Sequence, residues 1–193
     1  MKKTVAMLVM LIAAVLHAGE EENVKAVVVK DWQWAAQGNF AESLALRAPD
    51  CTDTNDGRTA DYEQIRRQLV SLDGKHPEEF LMVLMTLNGA KIPPEMMPKI
   101  RETAGDPQFI RYYGTACLRL ASQIREDAAF QLKTLKITGA KVDGDSAVVT
   151  VEYEREREGS AMPRLQTISL RKIGGTWKIS KIVDEMRAGR RQP

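Results

Sequence analysis

Few residues of this chain have the type and spacing that chemistry requires. Of the two histidines, His17 lies in the apolar N-terminal segment, and His76 stands alone before Pro77. A lone imidazole at or just outside a helix N-terminus reads as a loop or capping residue; it supports neither a metal site nor a nucleophile–base pair. There is no Gly-x-Gly-x-x-Gly, no phosphate loop, no Gly-x-Ser-x-Gly elbow and no pair of Cys or His at metal-ligand spacing, so no cofactor and no metal are expected. Isomerase-type chemistry would need a carboxylate base tuned by burial near a tyrosine that donates to developing negative charge. Asp31, Asp61 and Glu63 are the carboxylates in view, and Tyr62, Tyr112, Tyr113 and Tyr153 the donors, with no spacing that ties them together. Asp31 sits between Val28 and Ala35, on the inner face of a helix or at its solvated boundary, the commoner place for a helix carboxylate. Trp32 and Trp34, two apart, point to nearly opposite sides, so one ring turns inward to pack or to line a pocket. The pocket candidates are therefore Asp31, Trp34, Tyr62 and Tyr113.

These residues must be positioned by helices first and strands after. Val24, Val27, Val28, Trp32, Ala35 and Ala36 recur at helical spacing and end near Gly38; a short helix follows through Phe40, Leu44 and Leu46 and stops before Pro49. The polar segment Asp50 to Arg58 reads as a loop. Tyr62, Ile65, Leu69 and Leu72 mark a third helix. Pro77 with Glu78 and Glu79 opens a strongly apolar fourth, ended by Asn88-Gly89, and Asp106-Pro107 opens another through Ile124. Met82, Met85, Met96 and Met97 are core or an adaptable apolar surface. From Gln131 the period becomes alternating: four consecutive strands to Val183, with Asp143-Gly144, Glu158-Gly159-Ser160 and Gly174-Gly175 at the turns. The run Glu152 to Glu158 alternates acid and base, as a solvated hairpin arm does. Helices then an antiparallel meander give an α+β domain.

Lys2 and Lys3 precede an apolar run from Val5 to Leu16, followed by the small residues Ala18 and Gly19. About a dozen apolar residues are too few to span a bilayer at roughly 20, so 1–18 reads as a signal peptide. The expectation is an exported protein, periplasmic or secreted, with no membrane insertion after cleavage. One domain at 19–186 and a flexible tail at 187–193 follow. Removing the two leader lysines leaves 26 basic and 26 acidic residues from the original 28 and 26, a formal charge of zero that offers nucleic acid no general attraction. Cys51 and Cys117 are the only cysteines; in an oxidising compartment they pair as a disulfide, or Cys117 is a buried thiol in the pattern Tyr113, Ala116, Cys117, Leu120.

The Gly38–Glu42 break (Gly-Asn-Phe-Ala-Glu), the strand pair around Val142–Val149 and the run Leu170–Ile179 ending Gly-Gly-Thr-Trp-Lys-Ile together resemble the nuclear transport factor two-like superfamily, in particular exported bacterial members of unknown function. The resemblance implies a curved antiparallel sheet of C-terminal strands wrapping N-terminal helices into a cone. The segment 71–126 departs from the usual pattern as an extra helical insertion. The superfamily includes ketosteroid isomerases, cyclases, epoxide hydrolases and dehydratases, so two readings stand. One is a non-catalytic exported domain binding a small apolar ligand or a protein partner. The other is an isomerase, cyclase or hydrolase using a pocket carboxylate with a tyrosine. The sheet's outer face is also a candidate homodimer surface, and a polar one.

Overall fold

The computed structural model describes residues 2–86, 92–157 and 159–187, with side chains from residue 19 onward and not at 157. The leader side chains, the Asn88-Gly89 helix stop and the tail beyond Arg187 lie outside the described residues. The helices are α1 (Lys2–Gln37), α2 (Phe40–Ala45), α3 (Tyr62–Val70), α4 (Pro77–Thr86), α5 (Met97–Ala104) and α6 (Pro107–Thr134). Asp61 and Gln64 close a reciprocal capping box on α3, and Asp106 caps α6 ahead of Pro107. None of the described helices is long and apolar enough to cross a membrane.

The strands are β1 (Arg47–Asn55), β2 (Arg58–Ala60), β3 (Lys136–Asp143), β4 (Ser146–Arg157), β5 (Ser160–Ile173) and β6 (Thr176–Met186), in the order β2-β1-β6-β5-β4-β3. The four-strand meander is where the sequence places it, but Gln131 is still helical: α6 runs ten residues past Ile124, from 124 to 134. The segment expected to be a loop, Asp50 to Arg58, is instead the body of a two-strand hairpin turning at Asp56 (φ 47°) and Gly57 (φ 81°). Its main strand pairs with β6 in parallel, so the sheet is mixed rather than wholly antiparallel. Polar side chains hide this strand from any alternation test, because the parallel partner lies about 130 residues away and supplies the pairing.

The sheet's concave face carries the main core. Val149, Val151, Ile168, Leu170, Ile179 and Ile182 meet Val24 and Val28 of α1, all under 5% exposed. A satellite cluster of Phe80, Tyr113 and Cys117 joins α4 to the first half of α6. Cys51 belongs to the main core and Cys117 to the satellite, and both thiols are free, so the pairing expectation is not met.

Candidate functional site

Along the inner face of the meander the apolar alternation continues into polar residues. On β4 the inward positions Ala147, Val149 and Val151 are followed by Tyr153 and Arg155; on β5 Leu170 and Ile168 lead back to Gln166 and Arg164; on β6 Ile182 leads to Asp184. Strand registry brings these together, with Tyr153 opposite Arg164 and Gln166 opposite Asp184. β1 adds Asp53 opposite Ile182 and Asn55 opposite Asp184. Between Arg47 and Thr52 that strand spends five steps against two of β6, from Ile179 to Lys181. This irregularity re-aims the strand, as bulges do, and Arg47 and Asp53 both line the interior.

The polar ends of these strands and the facing sides of α1, α2 and α6 line an open cavity of about 290 Å³. Two hydrogen-bonded polar groups stand at its wall. In the first, Ser43 Oγ donates to Asp31 Oδ1 (2.5 Å) and Arg47 Nη2 to Asp31 Oδ2 (3.0 Å), tying α2 and β1 to α1. Burial works against the Arg47 guanidinium, but Asp31 beside it prevails and holds its pKa above the ordinary value. In the second, Tyr153 donates to Asp184 Oδ2 (2.5 Å) and Arg164 Nε to Asp184 Oδ1 (3.0 Å), while Arg164 also reaches Asp56 and Asn55. Arg164 is 1% exposed, and a buried charge is tolerated only when so partnered. Burial, and then the bond to Asp184, push the Tyr153 phenol well above its usual pKa, so it keeps its proton as a donor.

Asp53 differs from both. Among the described residues its carboxylate has no hydrogen-bond or ion-pair partner, although it lines the cavity. Burial raises its pKa, Arg47 opposes that, and the nearby Asp184 and Asp31 add to it. Trp32 and Tyr153 stand edge to face in the same wall (5.4 Å between centroids), and Trp32 Nε1 donates to Gln131 Oε1, which fixes α1 against α6. The site is thus a small open cavity bounded by fixed dipoles, by Asp53, Asp127 and Arg155 without partners among the described residues, and by two aromatic rings, an arrangement that can orient a small ligand and accept a proton from it.

Of the pocket candidates read from the sequence, Asp31 alone lines this cavity. Trp34 faces away under Lys30 Nζ, 4.6 Å from its ring centre, and Trp32 is the inward ring. Tyr62 packs at the margin of the main core. Tyr113 belongs to the satellite cluster, where its hydroxyl donates to the Ser71 carbonyl and accepts the His76 backbone N–H; burial pushes it up to about 12. His76 does precede α4, and its ring lies 3.3 Å from Asp73 in an open depression of about 610 Å³ beside Arg125. Asp53, Tyr153, Arg164 and Asp184 escaped notice as a set, although polar residues at inward strand positions mark them. Among the described residues no three His, Cys, Asp or Glu groups converge in a way that could hold a metal ion.

No protein-family model matches the chain, and no curated protein matches its sequence. Among solved structures it is similar to an NTF2-like protein with a cystatin-like fold from Novosphingobium aromaticivorans, at 14% identity over 93% of this chain and 90% of that one, with a TM-score of 0.52. It is also similar to an NTF2-like protein of unknown function from Pseudomonas putida KT2440, at 9% identity over 90% and 91% of the two chains, with a TM-score of 0.48. At such identities the likeness concerns architecture alone. Helices held in the hollow of a curved, six-stranded mixed sheet are the nuclear transport factor two-like cone, and that is the fold of this chain.

Proposed function

We propose that this protein binds a small polar molecule in the cavity of its cone. The observation that carries the reading is the wall itself: Asp31, Ser43 and Arg47 on one side, and Tyr153 with Asp184 on the other, backed by Arg164, are held by mutual hydrogen bonds around a cavity of about 290 Å³. Preformed concave sites with a few fixed polar groups are what small-ligand binding uses. The polar wall favours a hydrogen-bonding ligand over the apolar one that the sequence suggests. Native mass spectrometry of the protein purified from its own compartment tests this: a retained small molecule is expected, and its loss in an Arg47→Met variant that still folds places it here. A chain that carries nothing, and takes up no polar ligand, overturns the reading.

A second reading is favoured by Asp53. A cavity carboxylate without a partner, its pKa raised by burial, is the general base of an isomerase, cyclase or hydrolase, with the Tyr153 hydroxyl, turned from Asp184 to the ligand, as the donor to the charge that develops. In that case Asp53→Asn traps an unreacted ligand that the native protein converts, and mass spectrometry of the two side by side reports different masses. Identical ligands in both reject catalysis by Asp53.

We also place the protein outside the cytoplasm. The lysine pair, the apolar run and the Ala18-Gly19 step are a leader pattern. The first described side-chain anchor comes just beyond, where Glu20 takes hydrogen bonds from Lys172 Nζ and Trp177 Nε1 (both 2.7 Å). A cut after Ala18 therefore leaves this anchor in the mature chain. N-terminal sequencing of the exported fraction is expected to begin at or near Gly19; an intact leader there rejects the placement.

A further inference from the structure

We infer that the ligand of the cone cavity is a small organic cation whose ammonium group sits against Asp53. This deepens the small-molecule reading and rests on it. The argument is one of charge matching. Asp31 is answered by Arg47, and Asp184 by Arg164 with the Tyr153 hydroxyl, so each of these carboxylates is compensated within the wall. Asp53 has no such partner among the described residues: Arg47 favours its charge from beyond ion-pair distance, while burial and the like charges of Asp184 and Asp31 act against it. An ammonium placed there relieves that repulsion, a neutral ligand leaves it, and an anion adds to it.

The donors of the wall agree. Arg47 gives Nη2 to Asp31 and its Nε and Nη1 are buried, so among the described residues the guanidinium left to an anion is Arg155, against two carboxylates of the cavity, Asp53 and Asp127, that also have no partner. The aromatic pair supplies what a cation uses besides a carboxylate: Trp32 and Tyr153 line the same cavity, and a ring face attracts an ammonium within about 6 Å. The approach carries the same sign. Asp127 and Arg155 belong both to the cavity and to an outer depression of about 320 Å³, where Asp56, Glu156 and Arg164 join them. Three carboxylates against two guanidiniums leave that mouth negative, which draws cations in. At about 290 Å³ the interior holds the volume of about ten water molecules at ~30 Å³ each, enough for one aromatic or short-chain amine.

Three probes of nearly equal size separate the outcomes: benzylamine, benzyl alcohol and benzoate, titrated into the 15N-labelled protein while the tryptophan indole N–H signals are followed. Trp32 lines the cavity, and Trp177, bound to Glu20, is the internal control. Benzylamine is expected to shift Trp32 selectively and to bind about tenfold or more tightly than benzyl alcohol, one charge interaction at ~1.4 kcal/mol per decade. Benzoate is expected not to bind. Asp53→Asn, which replaces a carboxylate that has no partner to lose, is expected to erase the preference; if that variant does not fold, the comparison of the three probes on the native chain decides alone. Equal binding of all three, or a preference for benzoate, overturns the cation assignment and leaves the ligand site standing. No shift of Trp32 with any probe overturns both.

Discussion

Arg164 gives the sharpest test of how this cone is held open. Replacing it with Met keeps the volume and the aliphatic stem but removes the guanidinium from a pair whose side chains are 1% and 5% exposed. Asp184 then keeps only the Tyr153 hydroxyl. Removing one member of a buried, hydrogen-bonded pair costs about 3–5 kcal/mol, because the other charge stays buried without compensation. The contact between Arg164 and Asp56 is different in kind. Asp56 is 53% exposed, so Asp56→Asn is expected to cost no more than about 1 kcal/mol. The double variant Arg164→Met with Asp184→Asn removes both charges and leaves Tyr153 an acceptor, so it is expected to be less destabilised than the sum of its parts by about 1–3 kcal/mol. The assay is urea unfolding followed by tryptophan fluorescence. With a slope of about 1–3 kcal/mol per molar, Arg164→Met should lower the midpoint by about 1–5 M. A loss under about 1 kcal/mol for Arg164→Met, or a loss from Asp56→Asn as large, would refute the assignment of the wall's stability to the buried pair.

Asp53→Asn should raise the melting temperature at pH 7, because the folded state raises this carboxyl's pKa and so disfavours its charged form. The penalty is absent below the ordinary aspartate value of ~3.9 and is fully present above the raised one, so the variant's advantage must close as pH falls through that window; a constant gap rejects it. Glu63 is the opposite case: hydrogen bonds from Arg66 and Arg67 hold its carboxyl down to about 2. Its stabilisation is present above ~4.3 and is lost as pH falls from there through about 2, and since Glu63 is half exposed, Glu63→Gln should cost only about 0.5 kcal/mol at neutral pH in the same melts. Gly38 and Gly57 both have positive φ, but a Cβ on Gly38 would meet Arg125 Cδ at 2.9 Å while one on Gly57 meets open space. Ala at 38 should therefore cost more than Ala at 57, each carrying about 1 kcal/mol of backbone strain, and equal losses would show that Arg125 yields freely. A thiol-reactive dye should label neither cysteine in the folded protein and both in denaturant without reductant; labelling of neither in denaturant would mean that they are paired.

The order of helices, the meander and its turns were legible because each follows from local rules. On β4 the period of two is plain, with Ala147, Val149, Val151 and Tyr153 all facing one way. Gly174 and Gly175, with φ of 57° and 79°, supply the paired positive angles that a tight hairpin turn demands. Capping by Asp61 and by Asp106 with Pro107 set two helix starts in the same way. Asp31 too could be singled out by its place on α1. The rest was hidden because its cause is remote. β1 is a strand only through its parallel partner β6, and whether Trp32 or Trp34 turned inward depended on where α6 lay against α1.

The sequence by itself determined the α+β order, the edges of most elements and the apolar half of the sheet's concave face, since 3.6- and 2-residue periods and turn chemistry act within a few residues. Which polar residues share a cavity follows instead from the packing of remote segments. Asp53, Tyr153, Arg164 and Asp184 come from strands that meet through registry, and their charges are compensated or left free according to distances of about 3 Å that no local pattern encodes. The separation of Cys51 from Cys117 has the same origin, because two cores form where two sets of helices pack.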